Sequence, residues 1–133
     1  MLPPSGPVLV VDDDEAVRHS LKFALELEGL DVRLYEDAEH LLREDGLPGT
    51  GCLVVDYQMP GMNGVELVGR LRGHHVGLPA ILISGRVTEE LRQRAVGAGF
   101  HLVLEKPLID GSLLAGIHDA LEAPSRGHAG GAT

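Results

Sequence analysis

Three acids in a row, Asp12-Asp13-Asp14, follow the apolar run Val8-Leu9-Val10-Val11. A second apolar run, Cys52-Leu53-Val54-Val55, ends at Asp56, and a third, Leu102-Val103-Leu104, ends at Glu105-Lys106-Pro107. Short apolar runs bounded in this way have the length of buried strands. Behind Asp56 come Pro60, Gly61, Asn63 and Gly64, loop-forming residues at close spacing. Each acid therefore stands where a strand gives way to a loop, at the carboxyl edge of a sheet. In open α/β sheets that edge is where ligands bind. If the strands are parallel, three carboxylates and one lysine converge above it. Crowded acids raise one another's pKa, and a set of carboxylates is also what a hard divalent cation takes as ligands. An acidic run before a helix is, on its own, more often a helix cap with solvated neighbours. The repetition of the pattern at separate strand ends is what points to a site.

The chain that must hold these residues alternates strand with helix. Residues 1–6 read as a disordered lead and 7–11 as the first strand. Asp14 or Asp13 can cap a helix over 15–28, with Val17, Leu21, Ala24, Leu25 and Leu27 inward and Arg18, Lys22 and Glu26 outward. Gly29 occupies the usual stop position. Residues 30–35 alternate and suit a strand at a sheet edge, and Asp37 is placed to cap a short helix through 43. After the strand at 52–56, a helix is expected over 65–72 and a strand over 80–83 that ends at Ser84-Gly85. A helix over 88–97, beginning at Thr88, turns Leu91, Ala95 and Val96 inward. A fifth strand covers 101–105, and a last helix covers 109–122 with Leu113, Leu114, Ile117 and Leu121 on one face. Residues 123–133 are rich in Gly and Ala without apolar periodicity and read as a flexible tail or the start of a linker. Parallel strands need right-handed helical crossovers, so the prediction is an α/β fold with a doubly wound parallel sheet and helices on both faces.

Composition narrows the function. A length of 133 residues fits one domain with a real core. The formal net charge of −9 argues against a nucleic-acid-binding surface, which needs a basic face. Cys52 is the sole cysteine, inside an apolar run, so it reads as core and suits a reducing compartment. No apolar run approaches the roughly 18 residues of a membrane span, and residues 1–6 lack the basic and apolar regions of a signal peptide. The expectation is a cytoplasmic chain with no membrane association. A nucleotide-binding domain would carry a glycine-rich turn after the first strand, where Asp12-Asp13-Asp14 stands instead. His74-His75 makes a poor metal pair because adjacent side chains diverge, and solvent exposure is expected of both.

Val10-Val11-Asp12-Asp13, Asp56 with Met59-Pro60 and Gly64, Ser84, and Lys106-Pro107 together resemble the receiver domain of two-component response regulators. The resemblance covers residues 7–122, and Asp12-Asp13-Asp14-Glu15-Ala16-Val17-Arg18 with Glu105-Lys106-Pro107 is most similar to receivers of the nitrogen-fixation-regulator type. It implies a flavodoxin-like fold, five strands in the order 2-1-3-4-5, whose strand-end aspartate accepts a phosphoryl group from a histidine kinase. By that resemblance Asp56 is the nucleophile, Asp13 a direct metal ligand, Asp12 an outer or water-mediated contact, and Gln58 a ligand through its backbone carbonyl. Asp56 itself completes the Mg²⁺ site. Lys106 pairs with Asp56 or with a phosphoryl oxygen. Ser84 is the switch, able to donate a hydrogen bond to the phosphoryl group and draw the adjacent loop inward. Pro107 fits a rigid turn and is often cis in the family.

The implied activity is signalling rather than enzymatic turnover: the domain catalyses only its own Mg²⁺-dependent phosphorylation and dephosphorylation. Its partners would be a sensor histidine kinase or phosphotransfer protein, and an output protein or a second copy bound through the 88–122 face. Alternatives are a phosphate sink and the input domain cut from a transcription factor. An aspartyl-phosphate phosphatase would commonly carry a second acid two residues after the nucleophile, where this chain has Gln58. One departure concerns the switch. Many receivers carry an aromatic residue three before the lysine, where this chain has Val103, and Gly85-Arg86 follow Ser84. Valine is stiff at its first torsion and cannot swing as a ring does, so the expected route of the signal is Ser84 and the backbone.

Overall fold

The computed structural model describes residues 6–108 and 111–122. Residues 1–5 of the lead expected at 1–6, the tail expected at 123–133, and the first two residues of the expected last helix lie outside the described residues. Strands β1 (Val8–Val11), β2 (Val32–Tyr35), β3 (Cys52–Asp56), β4 (Ala80–Ser84) and β5 (Leu102–Glu105) alternate with helices α1 (Glu15–Leu27), α2 (Ala38–Leu42), α3 (Gly64–Gly73), α4 (Glu89–Gly97) and α5 (Ser112–Glu122). All the strand pairings are parallel and the order is β2-β1-β3-β4-β5. This is the doubly wound sheet expected from the pattern, with β2 at an edge.

Period-two alternation divides the core. Leu9, Val11, Leu53, Val55 and Leu82 face α2, α3 and α4, packing with Leu41, Leu67, Val68, Leu91 and Ala95. Val8, Val10, Cys52, Val54, Ile81 and Ile83 face α1 and α5, against Leu25, Leu113, Ile117 and Leu121. The central strands bury every residue, so their apolar runs are continuous rather than alternating.

The helix ends follow local chemistry. Asp14, not Asp13, caps α1, accepting from the N–H groups of Ala16 and Val17. Asp37 caps α2 and Thr88 caps α4. Asn63 and Glu66 form a reciprocal capping box at the start of α3. Gly64, the first residue of α3, has no room for a side chain: a Cβ there would lie 2.6 Å from the Asp56 carbonyl oxygen and 2.8 Å from Val55 Cγ1. The loop after Asp56 therefore closes tightly onto β3.

Three inward assignments are corrected. Ala24 and Leu27 of α1 face solvent, Leu27 at 71% exposure, and Val96 of α4 is 68% exposed. In a 3.6-residue turn, Leu27 lies two positions from Leu25 and Val96 one from Ala95, so neither shares the buried face. Arg18, expected to face out, is half-buried.

Candidate functional site

Strand parity decides which side chains meet. Asp12, Asp56 and Lys106 continue the alternation that turns Val10, Val54 and Leu104 toward α1 and α5, so all three leave the sheet edge on the same side. Because β1 lies beside β3, the two carboxylates are neighbours. Lys106 comes from beyond β4, and its long side chain reaches both: Nζ donates to Asp12 Oδ2 at 3.2 Å and lies 3.4 Å from Asp56 Oδ1. The Lys106–Pro107 peptide is cis.

The acidic loop is held from several directions. Asp12 is fully buried, and its other oxygen, Oδ1, accepts from the Asp14 N–H at 2.9 Å. Its backbone carbonyl accepts from Arg18 Nη1 at 2.7 Å. Asp13 is exposed, and no described residue makes a hydrogen bond or ion pair to its carboxylate. It lines a shallow open groove with Tyr57, Gln58, Met59, Pro60 and Asn63. The expected ligand Gln58 therefore stands beside Asp13.

Asp56 is 5% exposed. Burial raises its pKa first, the Asp12 charge second and Asp13 further; Lys106 opposes them, and the balance stands at about 6. Burial alone would lower the Lys106 pKa, but the charges of Asp56 and Asp12 prevail and hold it above the ordinary value. Asp12, Asp13 and Asp56 each offer a carboxylate oxygen, and the three lie within 4.8 Å of one another. Fully ionised, three carboxylates against one ammonium leave a net double negative charge, which one divalent cation would cancel. An all-oxygen set with exposed space beside it suits Mg²⁺, which keeps several waters. These residues fit the ion.

Ser84 is buried at the end of β4, on the parity that faces α3 and α4. Its hydroxyl donates to the Arg86 carbonyl at 2.9 Å and accepts from the Arg86 N–H at 3.3 Å, so it is turned onto its own loop. Arg86 itself is exposed, as are His74 and His75. Val103 is buried in the core that includes Leu91 and Ala95 of α4. A second group with potential ligand atoms, Glu36, Asp37 and His40, is largely exposed and taken up with capping α2, where Asp37 Oδ1 accepts from the His40 N–H and lies 2.7 Å from His40 Nδ1.

Sequence reasoning missed three contributors. Arg18 folds back to the site from α1, a contact that helical periodicity alone would not reveal. Tyr57 and Arg94 meet across 37 residues, where Arg94 Nη1 donates to the Tyr57 hydroxyl at 3.1 Å; no local signal announces this. The Asn63–Glu66 capping box does have one, its N-x-x-E spacing.

The family model of the response regulator receiver domain matches residues 8–118. Among curated proteins, the chain is 39% identical over 118 residues to the transcriptional regulatory protein FixJ of Bradyrhizobium diazoefficiens, covering 87% of this chain and 57% of the relative. It is 37% identical over 115 residues to the C4-dicarboxylate transport transcriptional regulatory protein DctD of Pseudomonas aeruginosa, covering 86% and 25% respectively. The chain thus spans little more than half the length of the first of these and a quarter of the second. Among solved structures, one titled crystal structure of FixJ-N aligns with a TM-score of 0.77 at 34% identity, covering 90% of this chain and 95% of that one. A CheY-like receiver from Methanospirillum hungatei aligns with a TM-score of 0.81 at 28% identity, covering 90% and 96%. No helix among the described residues is long and apolar enough to cross a membrane.

Proposed function

This chain belongs to the response regulator receiver domain family, the phosphoacceptor half of two-component signalling, and from that premise we propose that Asp56 is its acceptor and residues 7–122 its receiver unit. The observation that carries the reading is the placement of Asp56 at the end of β3, 3.4 Å from Lys106 Nζ and within 4.8 Å of ligand oxygens of Asp12 and Asp13.

The chemistry follows from that placement. With a pKa of about 6, Asp56 is largely ionised at neutral pH and still basic enough to attack phosphorus. Its oxygen forms the new bond to phosphorus while the bond from phosphorus to the donor's imidazole nitrogen breaks, leaving an acyl phosphate on Asp56. Lys106 begins paired with both carboxylates, and its ammonium can follow the developing charge onto a phosphoryl oxygen. Asp13, Asp56 and the Gln58 carbonyl would hold Mg²⁺ directly, with Asp12 behind them; when bound, the ion screens the charge between the nucleophile and the phosphoryl oxygens. Arg18 keeps the Asp12 loop in register for this.

For the signal to leave, the Ser84 hydroxyl must exchange its bond to Arg86 for one to the phosphoryl group. That draws the loop at 84–88 inward and shifts α4, remodelling the surface of α4, β5 and α5. The likeness to FixJ and DctD supports input to a transcription regulator, fed by a sensor histidine kinase or a phosphotransfer protein, with output through a partner or a second copy of the chain.

The test is Mg²⁺-dependent labelling by acetyl phosphate, followed by intact mass. Wild type should gain one phosphoryl group and Asp56→Asn none; equal labelling of both would overturn the assignment. Ser84→Ala should label normally but lose the change in amide exchange over 89–97 that accompanies labelling of wild type. An undiminished change would place the output route elsewhere.

A further inference from the structure

Tyr57, the residue after β3, makes a polar contact between the Asp56 loop and α4. Parity turns its side chain to the face opposite Asp56, where it packs on the core shared with α3 and α4. Its backbone is secured on both sides: the N–H donates to the Ile83 carbonyl at 2.8 Å, and the carbonyl accepts from the Gly64 N–H at 2.9 Å. The same residue lines the groove beside Asp13. From α4, Arg94 Nη1 donates to the Tyr57 hydroxyl at 3.1 Å, with the guanidinium carbon 6.0 Å from the ring centroid. Arg94 therefore holds Tyr57 by the hydroxyl and, at the outer limit of a cation–π contact, by the ring. The hold of α4 on the sheet is otherwise slight, since Leu91 and Ala95 are its only buried side chains. A segment with few buried apolar contacts opens locally at low cost, so a single bridge contributes appreciably to the position of α4.

We propose that Arg94 is a positioning residue for phosphoryl transfer, acting through Tyr57 to set the groove beside Asp13 and the position of α4 together. The proposal rests on the reading of Asp56 as acceptor and adds a second route to the one through Ser84. A displacement of α4 carries the Tyr57 ring with it at the edge of the groove that Asp13 lines. By the reciprocity of coupling, occupancy of the site biases α4 through the same bridge. The partner of the guanidinium is a neutral phenol rather than a carboxylate, so the contact orders the loop without the strong charge pairing that would lock it.

The experiment compares wild type with Arg94→Ala, Arg94→Lys, Tyr57→Phe and the Arg94→Ala/Tyr57→Phe double variant. Amide exchange is followed in unphosphorylated protein, and labelling is followed against acetyl phosphate concentration. Arg94→Ala and Tyr57→Phe should each raise exchange about 3- to 10-fold in both 57–63 and 89–97, the size expected for loss of one ordinary solvent-exposed hydrogen bond. The double variant should exceed neither single, because both remove the same contact. The half-saturating donor concentration should move severalfold with the maximal labelling rate nearly unchanged, and Arg94→Lys should recover part of both effects. Exchange that rises in 89–97 alone, additive effects in the double variant, or an unchanged donor dependence would each overturn the positioning role. Failure of wild type to label would overturn the acceptor reading itself, while the exchange data report on the bridge independently.

Discussion

Asp56→Asn tests the electrostatic cost of building this site. The carboxyl is almost fully buried, and burial and Asp12 hold its pKa at about 6 against an ordinary 3.8. A group whose folded pKa is raised contributes its full stability below the unfolded pKa and loses that contribution as pH rises through the folded one. The metal-free wild type should therefore become less stable between about pH 4 and about pH 7 on account of this one group. At about 1.4 kcal/mol per pH decade, the displacement corresponds to about 3 kcal/mol once Asp56 is fully ionised. Asparagine keeps the shape and removes the charge, so metal-free Asp56→Asn should be about 2 to 3 kcal/mol more stable at about pH 8 and near parity at about pH 4. For a domain of this size the gain is roughly 10 °C in Tm. Thermal and urea unfolding in chelator, followed by far-ultraviolet circular dichroism across that pH range, measures it. Added Mg²⁺ should narrow the gap, because it stabilises the wild type more than the variant. A gap that did not depend on pH, or a variant less stable than wild type at about pH 8, would refute the claim that like charge and burial dominate over Lys106.

Three further outcomes follow from the geometry. Asp13→Asn should weaken Mg²⁺ binding more than Asp12→Asn, since both Asp12 oxygens already hold protein donors while no described residue bonds to those of Asp13; a Mg²⁺ titration followed by NMR decides it. Lys106→Ala removes the ammonium that lowers the Asp56 pKa and no metal oxygen. The Asp56 pKa should rise above about 6 with Mg²⁺ binding retained, measured by carboxyl chemical shift against pH, and labelled protein should lose the wild-type shift changes over 84–110. Gly64→Ala places a Cβ against the Asp56 carbonyl, backbone that cannot give way without moving Asp56. It should cost about 1 to 3 kcal/mol in chemical denaturation and slow labelling.

The residues of the site were legible because strand ends obey local rules. Apolar runs closing on Asp12, Asp56 and Lys106 mark three sheet-edge positions, and alternation with helices dictates parallel strands. Asp14, Asp37 and Thr88 cap their helices by contacts spanning no more than three residues, so these too could be read from the chain. What no local rule reaches is adjacency. The strand order sets β1 beside β3 and so makes Asp12 and Asp56 neighbours, and it is across β4 that Lys106 must stretch. Helical periodicity assigns a face to a Cβ but not a destination to a long side chain. Arg18 therefore reads as solvent-facing until the fold brings the Asp12 carbonyl within 2.7 Å. The pKa of Asp56 depends on burial and on charges from β1 and β5, and the Tyr57–Arg94 contact joins residues 37 apart. Spacing along the chain determined which groups arrive at the edge of the sheet; through-space packing alone decided which of them touch, how far each is removed from water, and hence at what pH Asp56 ionises.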